Sequence, residues 1–308
     1  MRALVTGGLG FIGSHLVNAL LVEGWQVVIF DRAGNPFFPV PTQARFVEAE
    51  LGNRGALSHA LKGVDVVFHL AWSGENLAST QDLRAHVECN LLSSLSLFEL
   101  CEKAGVRRLV FFSSGGTVYG KADHVPIAED HPRNPISPYG LTKLTVERFL
   151  EFHGSQFGMD SVIVRPSVPY GERQNPNGVQ GAVSVFLGKA MCGEPIVIWG
   201  DGTVVRDYFY VGDLAQACIA AAQTSARGEV FNIGGGMGIS LNQLVEMVRG
   251  VTGIDVEVVY QAARSFDVPE LVLDIRKAEE ILAWKPVVGL EEGLERTWEW
   301  IQSLQRLA

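Results

Sequence analysis

Tyr139 and Lys143 stand four residues apart in PYGLTK (138–143), a spacing that puts both on one face of a helix. A phenol, with an ordinary pKa of about 10, is a poor base at neutral pH. A neighbouring ammonium favours the phenolate, which makes the pair a candidate base. A second set of candidates lies in FFSSGGTVYG (111–120), where Ser113, Ser114, Thr117 and Tyr119 offer hydroxyls just past an apolar run. The third is TGGLGFIG (6–13). Gly7, Gly10 and Gly13 let the backbone turn tightly against a pyrophosphate, and Phe11 and Ile12 open the helix whose N-terminus would receive it. Eighteen residues after Gly13 a second apolar run ends in Asp31. A carboxylate there can accept hydrogen bonds from both adenosine ribose hydroxyls and repel a 2′-phosphate, so the motif reads as NAD-binding. Arg32, next to it, leaves NADP as the alternative.

Short runs rich in Val, Ile, Leu and Phe must carry these residues. Residues 3–6, 27–30, 64–70, 109–113 and 161–165 read as buried parallel strands, and 12–23, 81–104 and 137–157 as the helices between them. That alternation predicts an α/β chain, a Rossmann-type doubly wound parallel sheet with a smaller C-terminal α/β domain. After residue 166 the rhythm changes, and RPSVPYGERQNPNG (165–178) reads as a loop. Helices are expected over 182–192, 211–223 and 290–304, and strands over 196–199 and 229–233. The division is then 1–166 for the dinucleotide, with chain returning near 205–235, and 167–308 mainly for substrate. A site between the two, at the carboxyl ends of the strands, is the natural place for ligands.

The whole chain narrows the function classes. A net charge of −9 over 308 residues argues against a nucleic-acid partner. Four cysteines without paired spacing suggest neither a disulfide framework nor zinc, and the seven histidines show no metal pattern, so no metal is expected. No apolar run reaches the ~18–20 residues of a membrane span. The sequence opens directly on a strand, so no signal peptide and a cytoplasmic location are expected.

TGGLGFIGSHL (6–16), HLA (69–71), SSGGTVYG (113–120), PYGLTK (138–143), WGDGTVVRDYFYVGDLA (199–215), FNIGGG (231–236) and KPVVGLEEGL (285–294) occur in one order along the chain. In this the sequence resembles the extended short-chain dehydrogenase/reductases, in particular their NAD-dependent nucleotide-sugar epimerases. The resemblance implies that Tyr139 takes the proton of the sugar 4-hydroxyl while hydride passes to NAD. Lys143 would bind the nicotinamide ribose, and the 4-keto sugar would turn over before hydride returns. It further implies cofactor contacts at Glu50, Leu51, Leu70, Ala71, Trp72, Asn90, Ser113 and Pro166, and substrate contacts at Val168, Arg206, Arg264, Asp267 and Leu271. Two arginines suit a diphosphate, each donating hydrogen bonds in a fork. A UDP-sugar substrate, a homodimer paired through helices 90–104 and 138–157, and a role in polysaccharide biosynthesis are implied in the same way.

Three departures from the family pattern stand out. Gly115 occupies the position of the usual Ser or Thr that holds the 4-hydroxyl. Thr117 is the expected substitute, two residues along an extended chain, with Ser114 as the alternative. Val168 replaces a common Asn, and Glu50-Leu51 replaces an Asp-plus-apolar pair. Leu271, at a position that limits the C2 substituent, leaves hydroxyl and N-acetyl sugars both open. Gly116-Thr117 in place of Asp-Glu speaks against a dehydratase. A 4-keto-sugar reductase and a non-catalytic nucleotide-sugar-binding relative remain as alternatives.

Overall fold

The computed structural model describes residues 1–32, 34–73, 82–264 and 268–305. Its first half runs β1 (Arg2–Thr6), α1 (Phe11–Val22), β2 (Gln26–Asp31), β3 (Arg45–Glu48), α2 (Arg54–Ala60), β4 (Val66–His69) and α3 (Leu83–His86). There follow α4 (Ser93–Ala104), β5 (Arg108–Phe112), α5 (Pro138–Phe157) and β6 (Ser161–Pro166). The second half is β7 (Val168–Tyr170), α6 (Ala182–Cys192), β8 (Ile196–Trp199), β9 (Val205–Tyr210), α7 (Val211–Gln223) and β10 (Glu229–Ile233). It continues with β11 (Gly238–Ser240), α8 (Leu241–Thr252), β12 (Val258–Gln261), β13 (Glu270–Leu271), α9 (Arg276–Leu282) and α10 (Leu290–Gln305).

Seven strands form one parallel sheet in the order β10-β6-β5-β4-β1-β2-β3. Both faces are covered. Along β1, Ala3 and Val5 join the core under α1 and α7, while Leu4 joins the core under α2, α4 and α5. A strand buried on both sides can be apolar throughout, which is why these runs lack polar alternation. The returning segment is α7 with β10, which adds an edge strand beside β6. β9 stays in the smaller four-stranded sheet with β7, β11 and β13, and β8 pairs with β12.

Two segments differ from their sequence reading. Val168–Tyr170, expected in a loop, is a strand paired in parallel with β9. The expected single helix 81–104 is broken by a π-helical turn, Val87–Leu92, between α3 and α4; residue 81 lies outside the described residues. The turn presents Asn90, whose side chain accepts from Ser73 N (2.7 Å) and donates to Ser73 O (2.8 Å) and His86 O (3.0 Å). Such turns are frequent where a helix must aim a functional side chain.

The elements around Tyr139 are bolted together by a buried ion pair. Arg165 on β6 donates to Glu147 on α5 at 2.9 and 2.6 Å, both side chains fully buried. Its Nη1 also donates to Tyr119 Oη (2.8 Å), which in turn donates to Asn232 Oδ1 on β10 (2.7 Å). Tyr119 is thereby a structural link between the β5–α5 connection and the sheet.

Candidate active site

At the carboxyl ends of β1, β2 and β4 lies a cavity of about 760 Å³ whose wall includes Gly7, Gly10, Phe11, Asp31, Arg32, Leu51, Leu70, Ala71, Trp72 and Asn90. Its floor is backbone. Gly7 has φ +71°, and a Cβ there would stand 2.8 Å from Ala71 N. A Cβ on Gly13 would stand 2.1 Å from Gly7 O, so only glycine lets α1 begin this close to β1. Asp31 accepts from Leu9 N (2.9 Å) and Arg32 N (2.8 Å), which fixes its carboxylate at the rim. A glycine floor, a helix N-terminus and a fixed acid fit a dinucleotide. Ile12 and Gly13 lie behind this wall in the first turn of α1, and Glu50 is exposed while Ala49 and Leu51 face the cavity. Sequence reasoning missed Asn35, Phe37, Ser73, Cys89, Arg173 and Asn175 in the wall.

Tyr139 and Lys143 sit at the start of α5. Ser137 caps the helix by accepting from Gly140 N (3.1 Å), and Pro138 fills its first position. A Cβ on Gly140 would be 2.6 Å from Thr117 O, so glycine lets this helix end press against the 113–119 turn. Lys143 is buried, donating to Phe112 O (2.6 Å) with its ammonium 3.7 Å from the Trp72 ring centroid. Burial lowers its pKa well below the ordinary lysine range, opposed by the charge of Glu147. Burial also pushes Tyr139 up to about 12, and a hydrogen bond with the Ser114 side chain draws it partly back. The Trp72 and Tyr139 rings meet edge to face at 5.7 Å. Trp72 therefore touches the cavity, the lysine and the tyrosine together. Beneath them His69 bridges Thr6 Oγ1 and Ser94 Oγ, both at 2.9 Å, and burial holds its pKa down to about 3, so it is a neutral strut.

The turn carrying the hydroxyls is shaped by leucines. A Cβ on Gly115 would lie 2.5 Å from Leu273 Cδ1 and 3.0 Å from Arg165 O, so no side chain fits where the family pattern has a hydroxyl. Ser114 is the hydroxyl that reaches Tyr139. Thr117 Oγ1 and Ser113 Oγ are buried without hydrogen-bond partners. Pro166, at the end of β6, accepts from Gly115 N at 2.9 Å and so sets the height of this turn.

The smaller sheet brings Val168, Arg206 and Leu271 together. Val168 pairs with Tyr208 on β9, Leu271 with Arg206, and Leu271 Cδ1 lies 4.0 Å from where a Cβ on Gly116 would be. Arg206 donates to Val205 O and Val268 O, both at 2.8 Å. Its neighbour Asp207 is fully buried and accepts from Gly235 N (2.7 Å) and Leu273 N (3.2 Å). Burial raises that carboxyl to about 6 against these bonds. The Arg264 guanidinium lies 4.3 Å from the Trp199 ring centroid at the end of β8. Asp267 lies outside the described residues.

Residues 3–234, which hold the glycine loop and the Tyr–Lys pair, match the model of the "NAD dependent epimerase/dehydratase family". The chain belongs to this family. Its cofactor is accordingly NAD, for which the glycine floor and Asp31 are suited. Over its length the family member is 37% identical to a putative UDP-glucose 4-epimerase of Methanocaldococcus jannaschii, covering 98% of this chain and 99% of that one. It is 31% identical to a dTDP-4-dehydro-6-deoxyglucose reductase of Escherichia coli, covering 95% of each. The fold is similar to the crystal structure of UDP-glucose 4-epimerase with UDP-glucose from Thermotoga maritima. There the TM-score is 0.94 at 38% identity, with 99% of this chain and 100% of that chain covered. Among the described residues no helix is long and apolar enough to cross a membrane, and no group of side chains could hold a metal ion.

Proposed function

We propose that this chain is an NAD-dependent isomerase that inverts C4 of a UDP-sugar through a 4-keto intermediate. The observation that carries the reading is Trp72, which lies in the wall of the dinucleotide cavity and touches both Tyr139 and Lys143. The proton-transfer pair and the cofactor site are thus one site.

Bound NAD supplies a hydride acceptor and donor at sugar C4, and a positive charge beside Tyr139. Tyr139 takes the 4-hydroxyl proton on its Oη. Without added positive charge a phenol near 12 holds its proton, so the pair is inactive until cofactor and Lys143 ammonium face it together. Ser114, donating to that oxygen, favours its anion, and Thr117 Oγ1, buried and unpartnered, is the second hydroxyl for the sugar. Arg206 and Arg264 hold the diphosphate, with Asp267 in the same segment. Apolar Val168 and Leu271 offer the sugar no hydrogen bonds, which leaves the ring free to turn while its diphosphate stays anchored. Glu50 and Leu51 take the adenine side, Asn90 fixes the Ser73 backbone beside it, and Ser113 and Pro166 lie on the nicotinamide side.

The protein works as a homodimer, paired through the outer faces of α4 and α5. Leu141, Phe149 and Phe152 are exposed there, around a groove of about 330 Å³ formed with Leu144 and Arg148. Its place is the cytoplasm, in the supply of sugars for polysaccharide synthesis. Denaturing the purified protein and identifying the released nucleotide by mass, then incubating native protein with a panel of UDP-sugars, tests the reading. About one NAD per chain and C4 epimers formed without added cofactor are expected. Protein that purifies empty and acts only on a 4-keto sugar with added NADH or NADPH would make it a reductase instead.

A further inference from the structure

Arg173 is the cation in the cavity wall that no motif of the sequence singles out. It follows β7 and so belongs to the half of the chain that faces the sugar, yet its side chain lines the dinucleotide cavity. The backbone between the two halves is joined at this point. His15, one turn into α1, bonds through Nε2 to Glu172 O at 2.8 Å. Arg173 therefore stands beside the helix end that the glycine loop opens.

Three features say that this guanidinium is built to meet something. Its backbone is held at φ +66°, in the left-handed region that costs any residue other than glycine. Its charge lies over the Phe38 ring, 4.5 Å from the centroid, which fixes its direction on the rim formed after Asp31. Its Nη1 is buried with no hydrogen-bond partner. The adjacent carboxylate makes no hydrogen bond to it: Glu172 accepts from Tyr210 Oη at 2.8 and 2.7 Å and acts on Arg173 through its charge alone. Among the described residues Arg173 has no ion-pair partner, and burial lowers its pKa. A half-buried guanidinium with an unpartnered, buried Nη1 gains most from an anion that arrives to pair with it.

We propose that Arg173 binds the diphosphate of NAD, so that the cofactor is gripped from both halves of the chain. The inference rests on the cavity taking the dinucleotide. Backbone amides of the glycine loop meet the diphosphate from one side, and a forked guanidinium, suited to phosphate oxygens, meets it from the other. The consequence is that the 171–178 loop beside the sugar site is held in place by bound cofactor.

The test is calorimetric titration of the full-length protein, stripped of nucleotide, with NAD, ADP-ribose and adenosine in turn. Arg173→Gln is expected to weaken NAD and ADP-ribose about 10- to 100-fold and adenosine less than 2-fold, and Arg173→Lys to recover part of the loss. Equal NAD affinity in Arg173→Gln would overturn the proposal. So would a loss that extends in equal measure to adenosine, or one that falls on UDP alone. Labelling the unaltered protein with an arginine-selective dicarbonyl keeps the question open to experiment if the Gln variant does not fold. NAD should protect Arg173 and adenosine should not; labelling unchanged by NAD sinks the proposal. If the unaltered protein binds no NAD, the reading of the cavity itself fails, which a normal titration with a silent Arg173→Gln does not imply.

Discussion

The cofactor side and the sugar side of the site are made of different materials. Around the cavity the geometry is set by backbone: Gly7 against Ala71, Gly13 against Gly7, and Asp31 locked by two amides. On the sugar side it is set by side chains brought in from β7, β9, β13 and the 113–117 turn. Backbone geometry tolerates almost no substitution but can accept any relative's dinucleotide. Side-chain geometry can be retuned residue by residue, and this is where Gly115 and Val168 depart from the family pattern. Two of the three departures, Gly115 and Val168, fall on the sugar side, and only the Glu50-Leu51 pair falls beside the cofactor cavity.

Gly13→Ala is the hardest blow to this contrast. A Cβ 2.1 Å from Gly7 O forces α1 away from β1, and the protein should purify without nucleotide; normal NAD content in the variant would mean that the backbone floor is not what sets the cavity. Tyr139→Phe should cost kcat about 10²- to 10⁴-fold while NAD content stays at the unaltered level. A fall in both would merge the two sides into one.

Asp207 sharpens the comparison from the sugar side, since one carboxylate there gathers the amides of Gly235 and Leu273. Its folded pKa of about 6 stands above the ordinary 3.8. Between these values the folded state holds the extra proton, so stability falls as pH rises from about 4 to 6. Above that range the cost is complete, on the order of 3 kcal/mol for about two pKa units. In Asp207→Asn this fall should vanish from urea midpoints measured between pH 4 and 7, whatever the absolute stability of the variant. The smallest effect separates the two hydroxyls. Ser114→Ala should lower kcat about tenfold and move the acid limb of the rate profile to higher pH, because the bond that favours the Tyr139 anion is gone. Thr117→Val should leave that limb in place.

The same division governs what could be read from sequence. Glycine spacing encodes backbone approach directly, so the cavity floor, Asp31 and the doubly wound sheet were legible before any coordinates. Buried strands such as Leu109–Phe112 were legible because both faces are apolar. β3 was not, since Arg45–Glu48 is four residues long, with two adjacent, only partly buried residues between exposed charged ends. β13 is two residues long, and no periodicity exists at that length. The reason for Gly115 lies in Leu273, far along the chain, and the Ser114–Tyr139 bond depends on how Gly140 seats a helix. Arg173 gave no signal because a positive φ leaves no trace in an arginine. Such facts belong to packing between distant segments.

Adding β10 beside β6 has a consequence for the order of events during synthesis. A chain emerging from the ribosome has six of the seven strands well before β10 appears, and β6 is until then an open sheet edge. Tyr119 has meanwhile lost its acceptor Asn232, and α1 lacks the cover of α7. Domains usually fold in order as they emerge, but here the nucleotide-binding unit must wait for residues translated after most of the loop and strands that hold the sugar. A nascent chain that stalls before Ile233 presents an unpaired edge and an uncovered apolar face. Until β10 and α7 are in place, the β6 edge and the apolar face under α1 are open to association with other chains.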